Sequence, residues 1–170
     1  MDTVSQALKY IEERATKLSR YSDKLRQNLA VLFHAFKPSY FCRYCHQNEA
    51  LHGNVKSHDF KPAIEVGIKV LGDPFLEEQD KVYPSMHYLW RLEIRENRMY
   101  LREEDWDGER LLEHRYYHVE QAPRYVLVRL VKSGAIPKFL HKIVEELEKT
   151  GREVGEAAEL AEKIARAVQE

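Results

Sequence analysis

The sequence predicts an α+β protein: long heptad-patterned N- and C-terminal helices flanking a small antiparallel β-meander and a Cys/His loop. Three observations lead there. Apolar residues at the N-terminus step by four and three over ten positions, Val4, Leu8, Ile11, Ala15, Leu18, Ser22, Leu25, Leu29, Leu32 and Phe36, with Ser22 the one polar member. The same stepping returns near the C-terminus, and between Ser85 and Glu120 the period falls to two. A four–three repeat marks one helix seam packed on another helix, whereas strict alternation marks a half-buried strand.

Taken in order, residues 1–37 form the first long helix. Thr3 and Gln6 fit a capping box, and Lys37-Pro38 supplies a stop. Residues 38–62 form a loop carrying the Cys/His residues, punctuated by Gly53, Asn54 and Pro62. Residues 63–120 form the sheet, opened by a short element in which Ile64, Val66, Ile68 and Val70 alternate. Gly72-Asp73-Pro74 ends that element, and residues 76–81 read as an acidic linker. Trp90, Leu92 and Ile94 alternate with Arg91, Glu93 and Arg95; Glu96-Asn97 turns the chain, and Met99 to Arg102 returns it. Asp105-Trp106-Asp107-Gly108 reads as a second hairpin turn of type I′, with Leu111 to Val119 the third strand. Residues 121–170 hold the C-terminal helices. Pro123 begins a short one ending at Ser133-Gly134, for which a fourth strand is the alternative, and Pro137 opens the last. Its seam is Leu140, Val144, Leu147, Gly151, Val154, Ala158, Ala161, Ala165 and Val168, and Gly151 with Gly155 is expected to divide it into two. The two terminal seams are expected to pair with each other, or with a second copy.

Size and composition bound the rest. A chain of 170 residues fits one domain that buries a core without disulfides. Its composition, 32% charged and rich in Glu, Lys and Arg, is one that proteins of hot environments often show. Formal net charge is −1, but unevenly placed: residues 73–109 carry eleven acidic against five basic groups, and residues 110–142 seven basic against two acidic. No apolar run approaches the length of about 20 residues that a bilayer requires, and no signal-peptide core is evident, so a cytoplasmic protein without a membrane partner is expected.

Chemistry concentrates in two stretches. Cys42, Cys45, His52 and His58 present two thiolates and two imidazoles, the ligands zinc prefers, at a spacing similar to that of a zinc knuckle, with His46 and His34 as substitutes. A structural zinc is the expected cofactor. From Arg110 to Lys142, Arg115, Arg124, Arg129, Lys132 and Lys138 interleave with Tyr116, Tyr117, Tyr125 and Phe139. Cationic groups neutralise phosphates while aromatic faces stack bases, so Arg115, Tyr117, Arg124, Arg129, Lys132 and Lys138 are the expected contacts to RNA or single-stranded DNA. The chain therefore reads as a non-enzymatic nucleic-acid-binding or ribonucleoprotein-associated subunit. Its terminal helices would meet a protein partner or a second copy. Two alternatives compete with it. His58-Asp59 resembles the dipeptide of HD-type phosphohydrolases, which implies a metal site completed by His34 and by Asp80 or Asp105. A pure helical scaffold is the other.

Overall fold

The computed structural model describes residues 3–36 and 66–169. The order is α1 (Thr3–Ala35), β1 (Val70–Leu71), β2 (Leu76–Gln79), β3 (Met86–Arg95), β4 (Arg98–Asp107), β5 (Arg110–Tyr117), α2 (Arg124–Lys132) and α3 (Ala135–Gln169). The class is α+β, as expected. The Cys/His loop lies outside the described residues.

β3 is the hub of the sheet. It pairs with β4 along its whole length, and β5 follows β4, every pairing being antiparallel. Its other edge is covered by two pieces in tandem, β1 opposite residues 93–94 and β2 opposite residues 87–90. Gly72, Asp73 and Pro74 interrupt that edge, yet Gly72 N–H donates to Leu92 O at 2.8 Å and Phe75 N–H to Trp90 O at 2.9 Å, so the ladder continues across the break. The stretch 76–81, expected as an acidic linker, is thus mostly strand. Glu77 and Glu78 are exposed there, and charge on an edge strand discourages further pairing.

The register divides the sheet into two unlike faces. Val70, Leu76, Trp90, Leu92, Ile94, Met99 and Leu101 share one face and form the core with α1, α2 and α3. Burying each such side chain contributes about 1.5–3 kcal/mol. α1 lies on β4 and α2, while α3 lies on α2, β1 and β3. Among the described residues no helix lies on the opposite face.

Both long helices dock by only part of their length. In α1 every side chain from residue 4 to 21 is exposed, and burial begins at Ser22, followed by Leu29, Phe33 and Phe36. Ser22 is tolerated in the seam because its hydroxyl donates to Leu18 O at 2.9 Å. In α3, Phe139 and Ile143 are buried, whereas residues 151–166 are exposed throughout. The expected pairing of the two seams is therefore not made within the chain along these stretches. Gly151 and Gly155 do not divide α3, which runs unbroken to Gln169. Each glycine costs a helix about 1 kcal/mol, and neighbouring Ala, Glu, Leu and Lys outweigh that here.

The turns follow backbone chemistry. Glu96 and Asn97 both take positive φ, 52° and 58°, as a type I′ hairpin demands, and Asn97 Oδ1 accepts from Gly67 N–H at 2.7 Å. The second hairpin turns at Gly108-Glu109 rather than over residues 105–108, because β4 continues through Asp107, which pairs with Arg110. Only Gly108 of the two loop residues has positive φ, the pattern of a II′ rather than a I′ turn.

Two glycines give opposite expectations. A Cβ on Gly72 would lie 2.9 Å from Phe139 Cδ2 and 3.1 Å from Leu92 O, and the Phe139 ring is itself buried, so Gly72→Ala should destabilise by about 1–3 kcal/mol. A Cβ on Gly155 would meet nothing within 4 Å, so Gly155→Ala should stabilise by about 0.5–1 kcal/mol. Urea unfolding midpoints check both, and equal shifts in one direction would contradict the packing described.

Candidate nucleic-acid interface

The face turned away from the helices is built by the odd residues of β3 and the even residues of β4, with their partners on β5. Across β3 and β4 it reads His87, Leu89, Arg91, Glu93 and Arg95 against Trp106, Glu104, Arg102, Tyr100 and Arg98. A bulge between Asp105 and Trp106 shifts the pairing so that His114 and Tyr116 join the same face opposite Glu104 and Arg102.

Two carboxylates are buried on it. Glu93 is 0% and Glu104 3% exposed at the side chain, and Arg102 bridges them. Arg102 Nη1 donates to Glu93 Oε2 at 2.9 Å, and its Nε lies 2.8 Å from Glu104 Oε1, an ion pair off the line of a hydrogen bond. Arg91 Nε donates to Glu104 Oε2 at 3.2 Å, and Trp106 Nε1 donates to the same oxygen at 2.9 Å. Lys69 Nζ stands 3.6 Å from Glu93 Oε1. Both carboxylates are thereby neutralised, with three cations set against the two.

Beside this network lies a row of rings. His114 meets Tyr116 edge-on at 5.4 Å, Tyr116 meets Tyr100 at 5.6 Å, and Tyr100 meets His118 at 5.3 Å. The Arg95 guanidinium sits 5.3 Å from the Tyr116 ring centre and that of Arg102 5.9 Å from it. His114 and His118 are exposed and both tyrosines half-buried. At the far end of the face His87 stacks on Trp106 at 6.3 Å. Tyr100 and Trp106 are six residues apart on one strand, roughly 20 Å.

The basic residues expected from sequence are distributed differently. Arg115 and Tyr117 lie on the helix-covered side of the sheet. Arg115 pairs with Glu103, Asp105 and Glu113 at 2.8–3.1 Å, and Tyr117 donates to Glu103 Oε2 at 2.8 Å. Hydrogen bonding to Glu113 first, then to Tyr117, with the nearby carboxylates adding, holds the Arg115 guanidinium even more firmly protonated than usual. Burial, chiefly, raises the hydroxyl pKa values of Tyr88, Tyr117 and Tyr125, which keeps them as donors to Asp80, Glu103 and Glu78. Arg124, Arg129 and Lys132 are exposed on α2, where they border a shallow surface with Leu76, Tyr125 and Val128. Lys138 lines a different surface, a cavity of about 170 Å³ beside Gly72 and Phe139. The six residues thus do not form one site. The row Tyr100, Tyr116 and His118 was missed as a group, although period-two parity places Tyr116, His114 and His118 on one side.

Cys42, Cys45, His52 and His58 lie outside the described residues, as do His46 and Asp59. Among the described residues no group of three or more His, Cys, Asp or Glu side chains is placed to hold a metal. His34, assigned to the hydrolase alternative, instead contacts Glu120 at 2.9 Å. Asp105 is held by Arg115, and Asp80 accepts the backbone N–H groups of Val82 and Tyr83 at 2.7 and 2.9 Å. His34 and Glu120 rim a cavity of about 140 Å³ whose apolar lining includes Phe33, Phe36 and Met99. No protein-family model, no curated protein and no solved structure matches this chain. No described helix is long and apolar enough to cross a membrane.

Arg102→Met strands the buried Glu93, whose remaining cation is Lys69 Nζ at 3.6 Å, while Glu104 keeps Arg91 and Trp106, and should cost about 3–5 kcal/mol, with a large part recovered in the double variant Arg102→Met, Glu93→Met. Chemical denaturation of both variants checks this. A second expectation concerns acid. The Tyr83 N–H, then the Val82 N–H, hold the Asp80 pKa below its ordinary 3.8, so its contribution is present above that pH and is lost as pH falls through the lowered value. Asp80→Asn should accordingly lower stability near neutrality and flatten the acid limb of the profile, so that variant and parent converge below the lowered pKa.

Proposed function

We propose that this chain binds single-stranded nucleic acid, RNA or single-stranded DNA, across the sheet face that carries Tyr100, Tyr116, His118 and Arg95. The observation that carries the reading is the row of rings on a face over which no described helix lies. Aromatic side chains on a sheet stack bases irrespective of sequence, and guanidinium groups beside them meet phosphates or stack in turn. The face is also prepared for an anionic ligand in charge terms. Glu93 and Glu104 are already neutralised by Arg91, Arg102 and Lys69, and Arg95, 45% exposed and 3.7 Å from the exposed Glu96, stands at the rim. Trp106 and His87 offer a second stacking station. In this reading the protein is a binding subunit rather than an enzyme.

Fluorescence anisotropy with a labelled single-stranded oligonucleotide tests the proposal. Binding should weaken steeply with salt, and Tyr100→Ala with Tyr116→Ala should weaken it further, since a stacked base is worth about 1–3 kcal/mol, roughly 5- to 150-fold, per ring removed. Trp106 emission should change on binding. Failure to bind either nucleic acid at low salt would sink the proposal. So would binding that survives loss of both tyrosines but vanishes when Arg124, Arg129 and Lys132 are changed to Ala, because those three lie on α2.

A further inference from the structure

The break in the covered edge of the sheet opens a cavity remote from the row of rings. Gly72-Asp73-Pro74 keeps β1 and β2 apart, and Pro74 has no N–H with which to continue a ladder. α3 begins beside the break, and the space of about 170 Å³ between them is lined by Phe75, Leu92 and Phe139, all buried. Its outer lining is charged. Lys138 and Lys142 stand one helical turn apart on α3, with Asp73 across from them on the broken edge. A small apolar floor with a few polar groups converging at the opening is the usual form of a ligand site.

Size and charge together define the ligand. An apolar cavity of about 150 Å³ holds benzene, so this one accepts a single six-membered ring or a branched chain of similar bulk. Lys142 Nζ stands 3.6 Å from Asp73 Oδ1, whereas Lys138 has no ion-pair partner among the described residues. Two cations against one carboxylate leave one positive charge in excess. An amine would add to that excess, and the dianion of a phosphate monoester would overshoot it. We infer that the cavity binds a small monocarboxylate with an apolar body, its ring or branched chain against Phe75, Leu92 and Phe139 and its carboxylate at Lys138. A hydrogen bond to the ammonium there is about twice as strong as a neutral one. The site lies on the helix side of the sheet, so it stands apart from the nucleic-acid reading.

Titration of the full chain with benzoate, benzylamine and phenyl phosphate, followed by ligand-observed nuclear magnetic resonance, tests the inference. Benzoate should bind at least roughly ten-fold tighter than benzylamine, because like charges set together are costly, and no more weakly than phenyl phosphate. Lys138→Gln with Lys142→Gln leaves Asp73 as the charge at the opening and should reverse the order of benzoate and benzylamine. Ala135→Leu adds bulk to the lining and should weaken benzoate with an unchanged near-ultraviolet circular dichroism spectrum. If that variant fails to fold, the lysine pair decides by itself. No benzoate binding at millimolar concentrations overturns the inference, as does benzylamine or phenyl phosphate binding the more tightly to the unaltered chain. Benzoate binding that survives Ala135→Leu in the folded protein, or a preference for benzoate that survives loss of both lysines, does so equally.

Discussion

The bridge from Arg102 to Glu93 and Glu104 constrains everything built on the sheet. Arg102 lies directly opposite Arg91 and reaches Glu93 along the diagonal, while Glu104 sits two residues further on its own strand. Only this register brings the guanidinium between the two carboxylates. A slip of β4 by one residue would turn that strand over, carrying Arg102 and Glu104 into the apolar core and expelling Met99 and Leu101, an exchange no compensating contact could offset. The outer face thus enforces the pairing that the hydrophobic core also requires, and the strained Glu96-Asn97 turn is held by both.

With the register fixed, the position of the helices follows. Met99 and Leu101 face α1, Leu76 faces α2, and Val70 and Leu92 face α3 because parity leaves them no other side. Gly72 allows the Phe139 ring to approach the broken edge, which is where α3 gains its hold on the sheet. The helices consequently gather on one face, and the other is free to carry aromatic and ionic side chains. The division of labour between the faces is a consequence of strand period.

Legibility in sequence was uneven for physical reasons. α1, the β3–β4 hairpin and α2 were readable because period and end signals agree in each. β2 was not, since Leu76-Glu77-Glu78-Gln79 is an exposed edge strand whose charges look like a linker. The turn at Gly108 was misplaced because Asp105 and Asp107 mimic turn residues, although Trp106 keeps the strand going to stack on His87. The ring row was legible only in part. Parity puts Tyr116 with His114 and His118, but setting that side against Tyr100 needs the bulge near Trp106, which no local signal announces.

Linear charge was the least faithful guide. The most acidic stretch, residues 73–109, becomes a sheet in which Glu93, Glu103, Glu104 and Asp105 are all neutralised by arginines across or along the strands. The basic stretch that follows gives up Arg115 to three of its acidic neighbours. A ligand therefore meets neither the negative segment nor the positive one. It would meet the cations at the surface, Arg95 beside Glu96 among rings on one side of the molecule and Arg124, Arg129 and Lys132 on the other. Opposite faces of a thin sheet cannot act on one short strand of nucleic acid. The aromatic side is favoured because stacking adds to charge there, whereas α2 offers charge beside a single exposed Tyr125, whose hydroxyl is already directed to Glu78.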